Sequence, residues 1–146
     1  MDNLQKFVER FLELLSDRDM KPGRLAAELN VRRKVISRYA NGERLPDLQM
    51  ALRLSEYFHC SIDFLLGRTD EGSQFEPLPA PPFYKHFIDV LNFCQKSIYR
   101  VAKDTAISEA TLFNWKMNRT SPTLENLVRL SDYLDCSIEF ILGREN

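Results

Sequence analysis

Apolar residues recur along this chain with the spacing of amphipathic helices. Near the N-terminus, apolar positions three and four residues apart run from Leu4 to Leu15, which predicts a helix over residues 4–15. No segment alternates apolar and polar residues over the length of a strand, so we expect no sheet. The pattern therefore predicts an all-α fold.

Four shorter helices are predicted next, each from the residues at its ends. Pro22 suits the first turn of the second helix, because its missing N–H is not needed there. Asn30 and Gly42 follow the second and third helices, and both residue types tolerate the left-handed backbone that ends a helix. Asp47 and Ser61 are N-cap residues for the fourth and fifth helices. The predicted ranges are residues 22–29, 32–40, the stretch after Asp47, and 62–66.

The second half of the chain repeats the first. Residues 11–68 align without a gap with residues 87–144, so each residue pairs with the one 76 positions later. The clearest match is CSIDFLLGR, which ends at Arg68, against CSIEFILGR, which ends at Arg144. A repeat of this length suffices for a small domain. We therefore predict two tandem five-helix domains, over residues 1–68 and 83–146, joined by a linker over residues 69–82.

The repeat predicts the same helix order in the second domain. Its first helix spans residues 83–93, and residues of the N-cap type begin the other four helices. These predicted caps are Ser97, Ser108, Thr123 and Ser137. The side chains expected to be buried in the first domain include Leu25, Ala26, Ile36, Leu52, Leu54, Ile62 and Leu66.

The linker changes character along its length. Prolines at positions 77, 79, 81 and 82 favour an extended, semi-rigid second half, whereas the polar first half should flex. Phe75 and Leu78 either dock on a domain or belong to a free linker. A free linker of about 13 residues, at ~3.1 Å each, would span up to ~40 Å.

The charge of the chain is unevenly distributed. The net charge is −1, with 20 Lys and Arg against 21 Asp and Glu. Residues 18–53 nevertheless hold nine Lys and Arg against four Asp and Glu, and residues 94–129 hold six against three. Basic residues concentrated in part of a small domain indicate either a basic face for nucleic acid or an ordinary mixed surface.

Several classes of protein are disfavoured. No apolar run reaches the ~18 residues of a membrane helix, and the N-terminus carries acids where a signal peptide is basic and then apolar. We therefore expect a soluble, cytoplasmic protein. Cys60, Cys94 and Cys136 are expected as buried small side chains rather than as metal ligands or redox groups. No residue set predicts catalysis, so we expect neither an enzyme, nor a cofactor, nor a metal site.

Two short helices joined by a tight turn, inside a five-helix domain, form a helix-turn-helix. The first domain carries the signature Leu25-Ala26, Val31, Ile36-Ser37, Asn41-Gly42 and Pro46. The second domain keeps Val101-Ala102, Ile107, Leu112 and Pro122. With these residues, both halves of the chain resemble the lambda-repressor-like, XRE/Cro-type DNA-binding domains. The resemblance implies that the third helix of a domain binds double-stranded DNA.

The third helix of the first domain is the expected DNA-reading surface. Val35, Ile36 and Tyr39 should face the core. The predicted base-contacting residues on the outward side are Arg33, Lys34, Ser37 and Arg38. Arg and Lys suit guanine O6 and N7 as well as phosphates, and the alternative is a solvated basic face. The resemblance places the first three at base-contacting positions and Asn41 at a phosphate position. The residues expected to contact the DNA backbone are Arg32, Lys21, Arg24, Asn41 and Arg44.

One position departs from the family pattern. The family often has a Gln early in the second helix that contacts the DNA backbone, and Pro22 stands in its place. Proline has no N–H to donate. Arg18, Lys21 and Arg24 are expected to compensate by their charge.

The third helix of the second domain has lost most of this basic character. Glu109, Ala110 and Phe113 stand at the positions aligned with the predicted base-contacting residues. Glu can accept a bond from cytosine N4, yet it repels phosphate. Three roles stay open for this domain: a weaker or different DNA contact, dimerisation or partner binding, and a purely structural role. The predicted second surface consists of Glu109, Ala110, Phe113, Asn114, Lys116 and Arg119.

The sequence thus predicts a sequence-specific DNA-binding regulator, of the kind found as bacterial or prophage repressors. Such a protein would occlude its operator, and two tandem domains would act as a covalent pseudo-dimer on half-sites ~34 Å apart. Because the two third helices differ, the operator would be asymmetric. The rival class is a protein-interaction module such as an antitoxin, which also resembles this family. The expected partners are double-stranded DNA, a second copy of the chain, and a toxin or polymerase, but no membrane.

Overall fold

The chain folds into two separate helical units. The structure, a computed structural model, describes residues 2–145, and within that range it holds ten α-helices and no β-strand. The chain divides between Glu76 and Pro77 into two compact units. The predicted all-α fold with tandem five-helix domains is confirmed, while the predicted domain ends at residues 1 and 146 lie outside the described residues. In the described range, every helix is too short or too polar to cross a membrane.

The helices of the first unit fall where the sequence predicts them, with small shifts at their ends. They are α1 (Asn3–Asp17), α2 (Pro22–Leu29), α3 (Arg33–Ala40), α4 (Leu48–Phe58) and α5 (Ile62–Leu65). α1 continues to Asp17, beyond its predicted end at residue 15. α3 begins after Arg32, which has extended backbone and forms the N-cap.

The second unit repeats this order. Its helices are α6 (Phe83–Phe93), α7 (Ile98–Asp104), α8 (Glu109–Lys116), α9 (Leu124–Leu134) and α10 (Ile138–Leu142). All predicted N-caps are confirmed, because each side chain accepts a hydrogen bond from the backbone N–H three residues later. Such a cap typically stabilises a helix by about 0.5–2 kcal/mol.

Three aromatic rings occupy the centre of each unit. In the first unit, Phe7 and Phe11 stack with their centroids 5.4 Å apart, and Tyr39 of α3 meets both edge-on at 6.2 and 6.3 Å. The second unit repeats this arrangement with its own pair of phenylalanines and Trp115 of α8, at 6.0 and 5.6 Å. Edge-to-face ring pairs add about 0.5–1.5 kcal/mol beyond the burial of their area. The aromatic contact therefore fixes the third helix of each unit to the first.

Most side chains predicted to be buried are buried. They are Leu25, Ala26, Ile36, Leu54, Ile62 and Leu66. Leu52 is only half-buried, and Leu12 of the α1 stripe is 46% exposed. Apolar spacing identifies the inward side of a helix but not the width of its contact, which explains both exceptions. Cys60 is buried as predicted, whereas Cys94 and Cys136 are half-buried.

A side-chain hydrogen bond joins the second and fourth helices of each unit. Tyr133 of α9 donates to Asp104 Oδ2 of α7 at 2.6 Å, and Tyr57 of α4 donates to Glu28 of α2 at the equivalent place. The bond from Tyr133 lowers the pKa of Asp104, because it favours the charged carboxylate, and the same bond raises the pKa of Tyr133.

The segment between the predicted domains is bonded to the units rather than free. The Gly72 carbonyl accepts an N–H at the start of α5 at 2.9 Å, and Phe75 N–H donates to the His59 carbonyl at 2.7 Å. On the other side of the division, Leu78 N–H donates to the Arg144 carbonyl at 2.9 Å. The backbone of this segment is therefore held to the units, although the Leu78 side chain is 44% exposed, and a span of ~40 Å would require these bonds to break.

Replacing Tyr39 with alanine should lower the free energy of unfolding of the first unit by about 3–5 kcal/mol, because it leaves a cavity against two buried rings. Trp115 is the only tryptophan and lies in the second core, so its fluorescence reports the second unit. In urea titrations, the circular dichroism transition of the first unit should move to lower urea while the fluorescence transition stays.

The matched control is Tyr99→Ala, at a ring that is 61% exposed, and it should change either transition by less than about 0.5 kcal/mol. A fluorescence transition that moves together with the circular dichroism transition in Tyr39→Ala would contradict two separate cores.

The bond between Tyr133 and Asp104 should be visible in a carboxyl titration followed by NMR. The pKa of Asp104 should lie below its ordinary value and should rise toward that value in Tyr133→Phe. Since the folded-state pKa is the lower one, the bond stabilises the fold above the unfolded-state pKa and is lost as pH falls through the folded-state pKa. Tyr99→Phe is the control and should leave Asp104 unchanged. The same Asp104 pKa in the parent and in Tyr133→Phe would show that the bond does not form.

Candidate nucleic-acid interface

The helix-turn-helix of the first unit consists of α2, a short turn and α3. Asn30 ends α2 with left-handed backbone, φ 57° and ψ 46°, as predicted for asparagine at this place. Arg32 then returns to extended backbone, and α3 begins. Ile36 and Tyr39 are the buried side chains of α3, so one face of this helix lies on the core and the other on the surface.

The outward face of α3 carries the predicted base-contacting residues. Arg33 and Lys34 are exposed, and Ser37 and Arg38 are half-buried. The Arg33 side chain lies along the start of α2, where a Cβ on Gly23 would come within 3.4 Å of Arg33 Nε. Among residues 2–145, none of the three cations on this face forms an ion pair with a carboxylate. Their charge is therefore available to an external anion.

The residues predicted to contact the DNA backbone lie around this face. Arg24 is 3.6 Å from Glu28 in an exposed pair, which water screens strongly. Burial raises the pKa of Tyr39, and the nearby Arg44 guanidinium acts against that rise. The remaining three, Lys21, Arg32 and Asn41, are exposed.

Two arginines of the basic stretch are engaged in the fold instead. Arg18 donates to the Phe58 carbonyl at 3.2 Å and lies 5.1 Å over the Phe58 ring. Arg53 donates to the carbonyl of Leu29 at the end of α2. Both guanidinium groups thus satisfy carbonyls at helix ends, where the helix itself leaves them unpaired. Arg18 keeps its charge in this bond, and its expected compensation for Pro22 stays a prediction.

The helices of the two helix-turn-helix motifs begin differently. α2 and α3 have Lys21 and Arg32 at their N-caps, and neither side chain makes a capping hydrogen bond. α7 and α8 begin with Ser97 and Ser108, whose hydroxyls do make one. Uncapped N–H groups at the positive end of a helix dipole favour an anion such as phosphate. The uncapped helix starts and the positive charge of the first unit therefore both attract anions. In the second unit, the serine caps weaken the attraction of the helix starts for an anion.

The turn of the second helix-turn-helix is built by a side chain. Thr105 has extended backbone, φ −120° and ψ 175°, at the end of α7. Its hydroxyl donates to the Val101 carbonyl at 2.7 Å and accepts the Ile107 N–H at 3.1 Å. α7 is consequently one residue shorter than α2, although the two sequences align without a gap.

α8 presents an apolar and acidic surface where α3 is basic. Glu109 and Ala110 are exposed, and Phe113 is 43% exposed. With Ile98 of α7 they line a shallow groove that opens to solvent. The Arg119 guanidinium lies 5.5 Å over the Phe113 ring. Beside the groove, the other two residues predicted for this surface are Asn114, which is half-buried, and Lys116, which is exposed.

Ile98 is not among the residues predicted for this surface. The sequence feature that could have identified Ile98 is its alignment with Pro22, the first residue of the first helix of the motif. Further large apolar side chains of the second unit are exposed outside the groove. They are Leu78, Phe93, Tyr99 and Met117.

Comparison with protein families places a match on each unit. A helix-turn-helix family model matches residues 15–65, and the model of the Cro/C1-type HTH DNA-binding domain matches residues 94–146. Both matches include the helix-turn-helix pair and the helices that follow it. No curated protein and no solved structure is significantly similar to the chain.

Proposed function

We propose that this chain, a tandem helix-turn-helix protein of the XRE/Cro type, represses transcription in a bacterium or prophage by occluding an operator. Its two helix-turn-helix domains make it a DNA-binding regulator. The finer proposal is that α3 enters the major groove of the operator and that the bound protein blocks polymerase. Such a protein works in the cytoplasm, beside the DNA.

The observation that carries this proposal is the free basic start of α3. Arg33 and Lys34 are exposed on the first turn, and within the described residues they are not ion-paired. The N-cap Arg32 leaves the first N–H groups of the helix without a side-chain acceptor. A major groove admits one α-helix, and the first turns of that helix reach the base edges. Positive charge concentrated at the same turn is what this docking requires.

Each predicted residue then has a role. Arg33 and Lys34 donate to guanine O6 and N7, while Ser37 and Arg38, one turn later, reach the neighbouring base or its phosphate. Contacts to phosphates hold the register of the complex without reading sequence. These backbone contacts are assigned to Arg32, Lys21, Arg24, Asn41 and Arg44.

The two units are proposed to bind adjacent half-sites as a covalent pseudo-dimer. Half-sites one helical turn apart lie ~34 Å from each other. The bonds made by Gly72, Phe75 and Leu78 hold the connecting segment to the units. If the two half-sites lie farther apart than the bonded segment can reach, these hydrogen bonds must break when the protein binds DNA. The spacing found in a bound operator therefore reports the state of residues 69–82.

The alternative is a protein-interaction module, such as an antitoxin, in which the second unit contacts a toxin, polymerase or second copy of the chain. The observation that favours it is the exposure of Phe93, Tyr99 and Met117, at 76%, 61% and 48%. Exposed large apolar side chains occur at protein interfaces. This role does not exclude DNA binding by the first unit.

Replacing Arg33 with alanine should weaken binding to a selected operator by about 1–3 kcal/mol and relax the preference at one base pair, because a bidentate guanine contact is lost. Arg33→Lys should keep most of the binding to non-specific DNA but lose the same base preference. Fluorescence anisotropy with operator variants measures both quantities.

The control for this pair is Arg129→Ala, an exposed arginine on α9 outside the helix-turn-helix. It should leave specificity unchanged. If Arg33→Ala discriminates among operator variants as the parent does, Arg33 does not read a base.

The isolated first unit, residues 1–76, should retain detectable DNA binding, and the isolated second unit, residues 77–146, should bind more weakly. These ends keep the bonds of Phe75 and Leu78 within their own units. The whole chain should bind more tightly than either unit and show a steeper salt dependence, because more phosphates are neutralised. Equal salt slopes for the whole chain and the first unit, with dimerisation lost on removing the second, would assign the second unit to self-association.

A further inference from the structure

We propose that the groove at the start of α8 reads the C5-methyl group of a pyrimidine in the major groove of DNA. The groove is lined by Ile98, Glu109, Ala110 and Phe113. This inference rests on the proposed function, because it names the base chemistry that the second unit recognises.

The position of the groove within the repeat supports this assignment. Glu109, Ala110 and Phe113 are the equivalents of Arg33, Lys34 and Ser37, three of the four residues on α3 that are proposed to contact bases, 76 positions earlier. Ile98 is the equivalent of Pro22, the first residue of α2. The apolar groove therefore occupies the place where the first unit holds its basic base-reading side chains. A domain that docks in the same way as the first unit presents this groove to the base edges.

The chemistry of the lining matches a methylated base edge. In the major groove, a thymine presents its C5-methyl group, and alanine and phenylalanine are side chains that make apolar contact with that methyl. Glu109 adds a carboxylate at the rim of the groove. This carboxylate can accept a hydrogen bond from the N4 amine of a cytosine in the same or the next base pair. Guanine, which offers only acceptors in this groove, would be repelled by the carboxylate.

Arg119 orients the aromatic wall of the groove. Its guanidinium lies 5.5 Å over the Phe113 ring, and its backbone N–H donates to the Asn114 carbonyl at 2.8 Å. One face of the ring is thus covered by a cation, which favours presentation of the remaining ring surface to the groove. The same cation can meet a phosphate at the edge of the DNA groove.

Two observations favour DNA over a protein as the occupant. The exposed cations Lys103, Lys116 and Arg119 lie on or next to the helices that line the groove, and a phosphate backbone complements them. The model of the Cro/C1-type HTH DNA-binding domain matches residues 94–146, which contain the whole groove. An uncharged protein surface would leave both observations without a role.

Thymine and 5-methylcytosine offer the same methyl group, so the test separates them. The complete chain is first used to enrich duplexes from a random library. The half-site bound by the first unit is marked by the base preference that Arg33→Ala loses, and the other half-site belongs to the second unit. In that second half-site, thymines are replaced by uracil in one set of duplexes and cytosines by 5-methylcytosine in another. Affinities are measured by fluorescence anisotropy.

Loss of a buried methyl group predicts a drop in affinity of about three- to tenfold. Uracil should weaken binding by this factor if the base is thymine, and 5-methylcytosine should strengthen it by a similar factor if the natural target is methylated cytosine. Phe113→Ala should weaken binding to the parent duplex and remove the response to either replacement. Phe93→Ala, a matched change at a ring outside the groove, should keep the response, and thermal unfolding checks that both variants fold.

The outcomes separate this inference from the function on which it depends. A chain that enriches no duplex overturns both. A chain that enriches a duplex but responds to neither replacement overturns only the methyl readout. Loss of self-association in Phe113→Ala, with DNA affinity and the response to base replacement unchanged, would assign the groove to a protein contact and overturn the inference as well.

Discussion

Each unit of this protein depends on the contact of one aromatic ring with two others. Tyr39 and Trp115 are the rings on the third helices, and each meets a stacked pair of phenylalanines from the first helix of its unit. α3 and α8 have eight residues each, too few to be stable helices alone in water. Their helical form therefore depends on packing against the first and second helices of the unit, and this contact is one part of that packing. Because the inward face is held this way, the outward face is free to vary.

That freedom explains how one repeat carries two different surfaces. The inward change from Tyr39 to Trp115 keeps an aromatic ring at the centre of the core. The outward change from Arg33 to Glu109 inverts the charge without touching the core. The N-termini of these helices differ in a way that also favours anions in the first unit. α3 has no side-chain cap, whereas Ser108 caps α8. The two units thus share a scaffold but differ in the chemistry of their outward surfaces.

Local features of the fold could be predicted from the sequence because their causes are local. Helix caps depend on residues three positions apart, and Ser108 accepts the Thr111 N–H as its residue type predicts. The left-handed backbone at Asn30 and Gly42 likewise follows from residue type. The repeat then extended each local prediction to the second unit, and the family resemblance indicated the helix that is proposed to face DNA.

The features that could not be predicted depend on distant residues. The hydrogen-bond partner of a long basic side chain is set by the tertiary fold. The sequence alone therefore did not reveal that the Arg18 side chain donates to the Phe58 carbonyl. The segment around Phe75 contains turn-forming and proline residues typical of linkers, yet its backbone bonds to the preceding unit. The groove of the second unit joins α7 to α8, and its residue Ile98 has no meaning for function until both helices are in place.

The central claim is that both units read DNA through their third helices and that they read different bases. The most direct measurement is to sequence the duplexes that the complete chain enriches from a random library. The account predicts one bipartite, asymmetric site, with guanine in the half bound by α3 and a pyrimidine, thymine or cytosine, in the half bound by α8. A palindrome of two identical halves, a single half-site, or no enrichment at all would contradict it.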